Sequence, residues 1–136
     1  MKDTELKKAR DRDLYGAYVR AIRENRCTSL RDAADIARKS IAERYYISAS
    51  EAALHIGKIL SGISLLNLSD YSRKRIWQLY DCYQRWLDEH PGLKLSRERI
   101  LEELVSEPAP EFYISESHAR HIIMNKRREI RRSLGL

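Results

Sequence analysis

The 136-residue chain contains only three prolines, five glycines and two cysteines. So few residues that break helices leave long runs of Ala, Leu, Glu, Lys and Arg, a composition that favours helix over sheet. Two cysteines, Cys27 and Cys82, are too few for a disulfide framework or a zinc knuckle. We therefore expect both thiols to be reduced and partly buried.

Long hydrophobic runs are also missing, so the sequence predicts no membrane span. The first eight residues, MKDTELKK, are too polar for a signal peptide. Hydrophobic residues make up 43% of the chain and charged residues 34%, which is typical of a globular rather than a disordered protein. We therefore expect a cytoplasmic protein.

The sequence lacks the common signatures of catalysis, including a Gly-rich phosphate loop and a nucleophile motif. His118 and His121 are three positions apart and could share a metal ion, but no nearby cysteine or carboxylate completes a ligand set. Surface histidines are the better interpretation. The sequence thus predicts no enzyme, no catalytic residue, no metal site, no cofactor and no small-molecule substrate.

A short motif occurs twice in the chain: YISASEA at positions 46–52 and YISESHA at positions 113–119. Upstream, residues at helical spacing also match 65 positions apart; the pairs are Leu14 and Leu79, Tyr15 and Tyr80, Tyr18 and Tyr83, Arg20 and Arg85, and Glu24 and Glu89. Agreement at both cap positions and helix faces indicates an internal duplication. We predict an all-α protein with two tandem three-helix units, residues 1–62 and 69–136, packed as one body through the apolar connector 63–68.

Serines mark most of the predicted helix starts, because a serine oxygen can accept a hydrogen bond from a free N–H of the first turn. The predicted helices run from Asp3 or Thr4 to about Asn25, from Ser29 onward, from Ala49 to about Leu60, from Ser69 or Asp70 to about His90, from Ser96 to Pro108, and from Ser115 to about Ser133. Apolar spacing predicts that Ile22, Ile41, Leu60, Ile130 and Leu134 lie on buried faces, whereas Leu54 is exposed.

The sixth helix has two contrasting sides when its residues are placed about 100° apart. Ala119, Ile122 and Ile123 gather on one side, and basic residues gather on the other with Met124, namely Arg120, His121, Arg127, Arg128, Arg131 and Arg132. Arginine makes bidentate contacts with phosphate and with guanine edges, which suits a helix that faces DNA. A solvated basic helix end is the simpler interpretation, but the helix dipole explains only Arg131 and Arg132.

Other polar residues extend this predicted surface. Asn125 could reach adenine or a phosphate, and Ser115 and Ser117 lie at the helix N-terminus, where free N–H groups attract phosphate. A second basic cluster, Arg73, Lys74 and Arg75, falls in the first turn of the fourth helix, where positive charge opposes the dipole. A phosphate partner would offset that cost, although simple solvation explains the cluster equally well.

A three-helix unit with an exposed, basic third helix resembles the helix-turn-helix class of DNA-binding domains, homeodomain-like in size. The resemblance covers about residues 4–61 and 69–133, and it implies that the residues nearest the bases are Ser117, Arg120, His121, Met124 and Arg128. The stretch 106–114 departs from the class, because it is longer than the usual turn of about three or four residues.

The sequence therefore predicts a non-enzymatic protein that binds duplex DNA, in a regulatory or accessory role such as transcription regulation. The net charge of +6 is compatible with this partner, although it matters only where the charge is clustered. One alternative is a helical module for protein interaction or self-assembly, whose partner could be another protein or a second copy in a homodimer. Another is binding to structured RNA. Salt dependence separates a protein interface from nucleic-acid binding, since phosphate contacts release counterions.

Overall fold

A computed structural model describes residues 2–27 and 29–135 of the chain. It contains the helices α1 (Asp3–Asn25), α2 (Leu30–Lys39), α3 (Ala49–Leu60), α4 (Asp70–Glu89), α5 (Arg97–Leu104) and α6 (Glu116–Ser133). Across the described ranges the only extended pairing is an isolated antiparallel bridge between Ala42 and Ala109. The predicted all-α class is confirmed.

Five of these helices begin at the serines that the sequence predicts as caps. The Oγ atoms of Ser29, Ser48, Ser69, Ser96 and Ser115 each accept a hydrogen bond from the backbone N–H three residues ahead, at 3.0–3.2 Å. Each serine has extended backbone angles, as an N-cap requires. These bonds satisfy N–H groups that the helix itself leaves unpaired, and they set where the chain turns into helix.

The two copies of the YIS motif share an unusual backbone conformation. Tyr46 and Tyr113 have φ angles of 53° and 57°, in the left-handed region that bulky residues rarely adopt. Both tyrosines are buried, and so are Ile47 and Ile114 behind them. Packing of the ring and of the following isoleucine therefore holds a backbone conformation that costs about 1–3 kcal/mol by itself.

The chain forms two compact units, each assembled from separate stretches. The central unit comprises the N-terminal residues up to Leu6 together with Glu43–Pro108, and the terminal unit comprises Lys7–Ala42 together with Ala109–Leu136. This grouping differs from a consecutive division at residues 63–68. α3 belongs to the unit that contains α4 and α5, while α6 belongs to the unit that contains α2.

In the central unit α3 packs on both α4 and α5, which also contact each other. Fully buried side chains from all three helices form its core: Ile56, Ile76, Leu79, Ile100 and Leu101. Leu65 of the connector is buried as well. Burying each of these aliphatic side chains stabilises the fold by about 1.5–3 kcal/mol, so the core is the main source of stability in this unit.

In the terminal unit α2 packs against α6 through a face made almost entirely of alanine. Ala33, Ala34 and Ala37 of α2 are completely buried, as are Leu14 of α1 and Ile123 of α6. Small side chains allow the helix backbones to approach closely. The segments that flank the two helices are joined by the bridge at Ala42, where both backbone hydrogen bonds to Ala109 measure 2.9 Å.

Several predicted buried positions are in fact exposed. Ile41 is 72% exposed because it follows the C-cap Ser40 and no longer obeys the periodicity of α2. Ile130 and Leu134 are 40% and 67% exposed, since this end of α6 extends past the core that buries Ile122 and Ile123. Ile22 and Leu60, each near a helix end, are also exposed. The prediction that Leu54 is exposed is confirmed.

The hydrophobicity of the helices bears on membranes as well. Within residues 2–27 and 29–135, none of them combines the length and the apolar character needed to cross a bilayer.

Candidate nucleic-acid interface

The first half of α6 is the part that anchors the helix. Ser115 accepts a 3.0 Å hydrogen bond from the N–H of His118, and Ala119, Ile122 and Ile123 are buried. Arg31 of α2 forms a 3.0 Å ion pair with Glu116 in the first turn. These contacts fix the direction of the helix axis. The positions of the backbone atoms in its second half follow from that direction.

From Arg127 onward the residues of α6 are all exposed, and so are Leu134 and Gly135 after its end. The side chains with an unpaired positive charge are Arg127, Arg128, Arg131 and Arg132, for which the described part of the chain offers no carboxylate partner. Glu129 lies among them but contacts Lys126, at 3.4 Å. Four guanidinium groups are therefore available to an external anion.

Three of these arginines surround a shallow groove together with Met124. The groove has a volume of about 190 Å³, and its lining residues are Met124, Arg127, Arg128 and Arg131. Met124 is 42% exposed and gives the groove an apolar side. Guanidinium groups next to an apolar side chain can contact both a phosphate and the methyl group or face of a base.

Nearer the N-terminus of α6, the polar side chains are engaged with one another. Arg120 lies 3.5 Å from Glu116, the same carboxylate that Arg31 contacts, so its charge is partly neutralised. The side-chain amide nitrogen of Asn125 lies 3.2 Å from Nε2 of His121. Ser117 is exposed, whereas the oxygen of Ser115 is already occupied by the cap. Of the residues expected nearest the bases, Arg128 belongs to the unpaired arginines, whereas the charge of Arg120 is already shared with Glu116.

His118 occupies the N-terminal turn, where α1 also contributes charge. Burial lowers the pKa of its imidazole, and the positive charge of Arg10 lowers it further, with smaller effects from His121 and Lys7. Asp11 acts in the opposite direction. The influence of Lys7 and Arg10 on His118 was not predictable from the sequence, because residues more than a hundred positions away give no local signal of their proximity to α6.

The second basic cluster, in the central unit, is partly used by the fold. Arg73 forms an ion pair with Asp70, one turn before it in α4. Arg75 donates hydrogen bonds to the carbonyls of Tyr45 and Tyr46, at 3.4 and 3.3 Å. Lys74 is exposed. Arg75 therefore supports the strained backbone at Tyr46, which explains a basic residue in the first turns of α4 without a phosphate.

The described residues contain no cluster of three or more His, Cys, Asp or Glu side chains that could hold a metal ion. No protein-family model matches the chain, and no curated protein or solved structure matches it significantly. The most informative functional feature is therefore the group of exposed, unpaired arginines on α6: Arg127, Arg128, Arg131 and Arg132.

Proposed function

We propose that the protein binds duplex DNA through α6, without catalysing a reaction, and acts in a regulatory or accessory role. The observation that carries the proposal is the row of unpaired arginines on the exposed half of this helix: Arg127, Arg128, Arg131 and Arg132. Exposed cations without internal partners neutralise phosphates at little cost, because no protein ion pair has to be broken first.

The dimensions of α6 suit a DNA groove. Its 18 residues span about 27 Å, and the major groove, about 12 Å wide, admits one α-helix. The N-terminal half of the helix carries its buried residues, and every described residue from Arg127 onward is exposed. Arg120, His121, Met124 and Arg128 are then placed for contacts with base edges, while Arg127, Arg131 and Arg132 contact phosphates.

We infer that α1, α2 and α6 form a helix-turn-helix-like unit whose third helix comes from the other repeat of a duplicated chain. The packing of α2 on α6 and the matched conformations of Tyr46 and Tyr113 support this inference. It accounts for the long stretch 106–114, because that stretch leads from α5 of one unit to α6 of the other.

The proposal is tested by titrating a labelled DNA duplex with the protein and following fluorescence anisotropy at several salt concentrations. We compare a variant with Arg127→Ala, Arg128→Ala and Arg131→Ala to a control with Arg12→Ala, Lys39→Ala and Arg99→Ala. The control removes the same charge from exposed residues that already contact carboxylates.

The α6 variant should bind at least about tenfold more weakly, and its log–log salt slope should fall by about 1 for each phosphate contact removed. The control should bind nearly as the wild type does. Equal losses in both variants would mean that net charge alone attracts DNA, and undetectable binding of the wild-type protein would refute the proposal.

One observation favours protein interaction as a second candidate function. Ile130 and Leu134 are exposed on the side of α6 that its first half buries, so the helix end offers an apolar stripe as well as a basic one. Binding of a protein through this stripe would depend little on salt and would be lost on Ile130→Ser with Leu134→Ser.

The fluorescence-anisotropy titration also tests RNA as a partner. Stronger competition by an RNA hairpin than by the unlabelled DNA duplex would identify structured RNA as the preferred partner.

A further inference from the structure

We propose that the two halves of the chain, divided between Leu66 and Asn67, hold together without their covalent connection, because each half supplies the helix that completes the other's unit. The surface of α2 is then a docking site for α6 of the other half. The surface of α4 and α5 is likewise a docking site for α3. The partner that each surface fits is thus the other half of this same chain.

Side chains in the terminal unit join residues from both halves. α2, from the first half, packs its buried alanines against α6, from the second. Arg31 forms the 3.0 Å ion pair with Glu116 across this contact. Nη1 of Arg38 lies 3.4 Å from the carbonyl oxygen of Ile114, just before α6. The contact therefore combines an apolar interface with directional polar bonds, as stable interfaces do.

The backbone contributes further links in the same unit. Ala42 and Ala109 exchange two hydrogen bonds of 2.9 Å, and the N–H of Phe112 donates to the carbonyl of Arg38 at 3.0 Å. All of these residues except Arg38 are buried, so water is a poor substitute partner. Separating the halves would leave backbone groups unpaired, and this penalty makes the association specific.

The central unit joins the halves in the reciprocal way. α3, from the first half, packs on α4 and α5, from the second. The N–H of Tyr45 donates to the carbonyl of Val105 at 3.0 Å. Gly57 of α3 lies under the guanidinium of Arg97 at the start of α5, where an added Cβ would be 2.7 Å from Nη1. A guanidinium from the second half therefore lies against the backbone of a helix from the first half.

The connector itself is suited to interruption. Leu66 and Asn67 are both exposed, and the buried Leu65 stays attached to α3 when the chain is cut after Leu66. The hydrogen bond from Leu68 N–H to the Leu65 carbonyl, 3.0 Å long, is the bond that such a cut removes. What the connector supplies is chiefly a high effective concentration of one half for the other.

The experiment inserts a specific protease site between Leu66 and Asn67 of the full-length protein, which is purified folded and then cleaved. The cut halves should co-elute in size-exclusion chromatography as one particle with unchanged helical circular dichroism. Their melting temperature should rise with protein concentration, whereas that of the uncut chain should not, because melting of the cut protein includes a dissociation step.

A matched pair of variants identifies the contact that holds the halves together. In the cut protein, Ile123→Ala should weaken the association at least about tenfold, since truncating a buried isoleucine leaves a cavity at the α2–α6 contact. Met124→Ala, next to it but exposed, should change the association less than about twofold. Ile123→Val provides a milder change should the alanine variant fail to fold.

Three results would overturn the proposal. One is separation of the cut halves into particles that each keep their helical signal, as self-contained units would. Another is a melting temperature of the cut protein that does not depend on concentration. The third is an association that Ile123→Ala or Ile123→Val leaves unchanged, since Ile123 would then pack only within its own half. The readouts involve no nucleic acid, so they do not depend on the function proposed above.

Discussion

A single serine oxygen determines where α6 begins. Ser115 accepts the N–H of His118 at 3.0 Å, and Ser48 does the same for Glu51 at the start of α3. In each case the preceding tyrosine is held in a left-handed conformation, so the chain direction at the helix start is tightly defined. A capping bond of this kind links a local sequence signal to the placement of a whole helix.

The cap should contribute measurably to stability. We expect Ser115→Ala to lower the free energy of unfolding by about 1 kcal/mol, because the N–H of His118 loses its hydrogen-bond partner. Urea denaturation followed by circular dichroism measures the change. Ser117→Ala serves as the control, since Ser117 is exposed and does not cap the helix, and equal stability of the two variants would contradict the cap assignment.

His118 links stability to pH. Its pKa is lowered in the folded protein by burial and by Arg10, so the folded state binds fewer protons than the unfolded state at mildly acidic pH. Stability should therefore decrease as the pH falls below about 6.5, the ordinary pKa of an imidazole in an unfolded chain, and this loss should be absent at higher pH. His118→Gln should flatten the pH dependence over this range.

Urea denaturation at a series of pH values tests this expectation. His121→Gln is a suitable control, because it removes a second imidazole one turn further along the same helix. The contribution of His118 is the difference between the wild type and its variant. A slope that remains the same in His118→Gln, or that decreases equally in His121→Gln, would rule out the lowered pKa of His118 as its cause.

At the scale of the element, α6 is one continuous helix in two environments. Ile123 is fully buried, while Ile130, two turns further on the same side, is 40% exposed. We expect Ile123→Ala to destabilise the full-length protein by about 2–5 kcal/mol. Ile130→Ala should change stability by no more than about 0.5 kcal/mol. Thermal or urea denaturation of both variants checks this, and comparable losses would show that the helix end is packed.

The same contrast shows which parts of a helix can be predicted from sequence. The boundaries of α3 and α6 were predictable because Ser48 and Ser115 act on their own first turns, a local effect. The exposure of individual residues was not predictable. Periodicity tells which side of a helix a residue occupies, but not how far the neighbouring core extends along that helix. Ile130 and Leu134 therefore have the spacing of buried residues without a neighbour to bury them.

Within α6, the arginines should not contribute equally to DNA binding. Arg120 shares Glu116 with Arg31, whereas Arg127 has no carboxylate partner in the described structure. We expect Arg120→Ala with Arg127→Ala to weaken duplex binding without unfolding the protein. Most of the loss should come from Arg127→Ala alone, since its charge is not already compensated. Gel-shift titrations of the single and double variants test this, and unchanged affinity of the double variant would refute the proposed surface.

At the scale of the whole molecule, local sequence signals could not predict which helices pack together. α3 and α6 bury the same residue types at equivalent places: Ala52 matches Ala119 and Ile56 matches Ile123. Judged from the sequence, the buried faces of α3 and α6 could therefore pack equally well on the first two helices of either half. One difference lies at His55, which is buried in the central unit where α6 has Ile122. Which surface accepts a buried imidazole depends on tertiary surroundings that the pattern of apolar residues does not contain.

The composition of the units leads to a prediction for a shortened chain. A protein that ends at Pro108 lacks α6 but retains every segment of the central unit. We expect α3, α4 and α5 to remain folded, because their mutual contacts are intact. We expect α2 to lose its structure, because without α6 the alanine face of Ala33, Ala34 and Ala37 is exposed to water.

Amide hydrogen exchange read by mass spectrometry distinguishes the helices. Peptides covering α3 and α5 should stay protected in the shortened chain, while peptides covering α2 should exchange as fast as an unfolded segment. Three-helix units that followed the order of the chain would give the opposite pattern, with α2 and α3 protected and α4 and α5 exposed. Since the deletion removes the same 28 residues in either case, the location of the lost protection alone decides which helices form a unit.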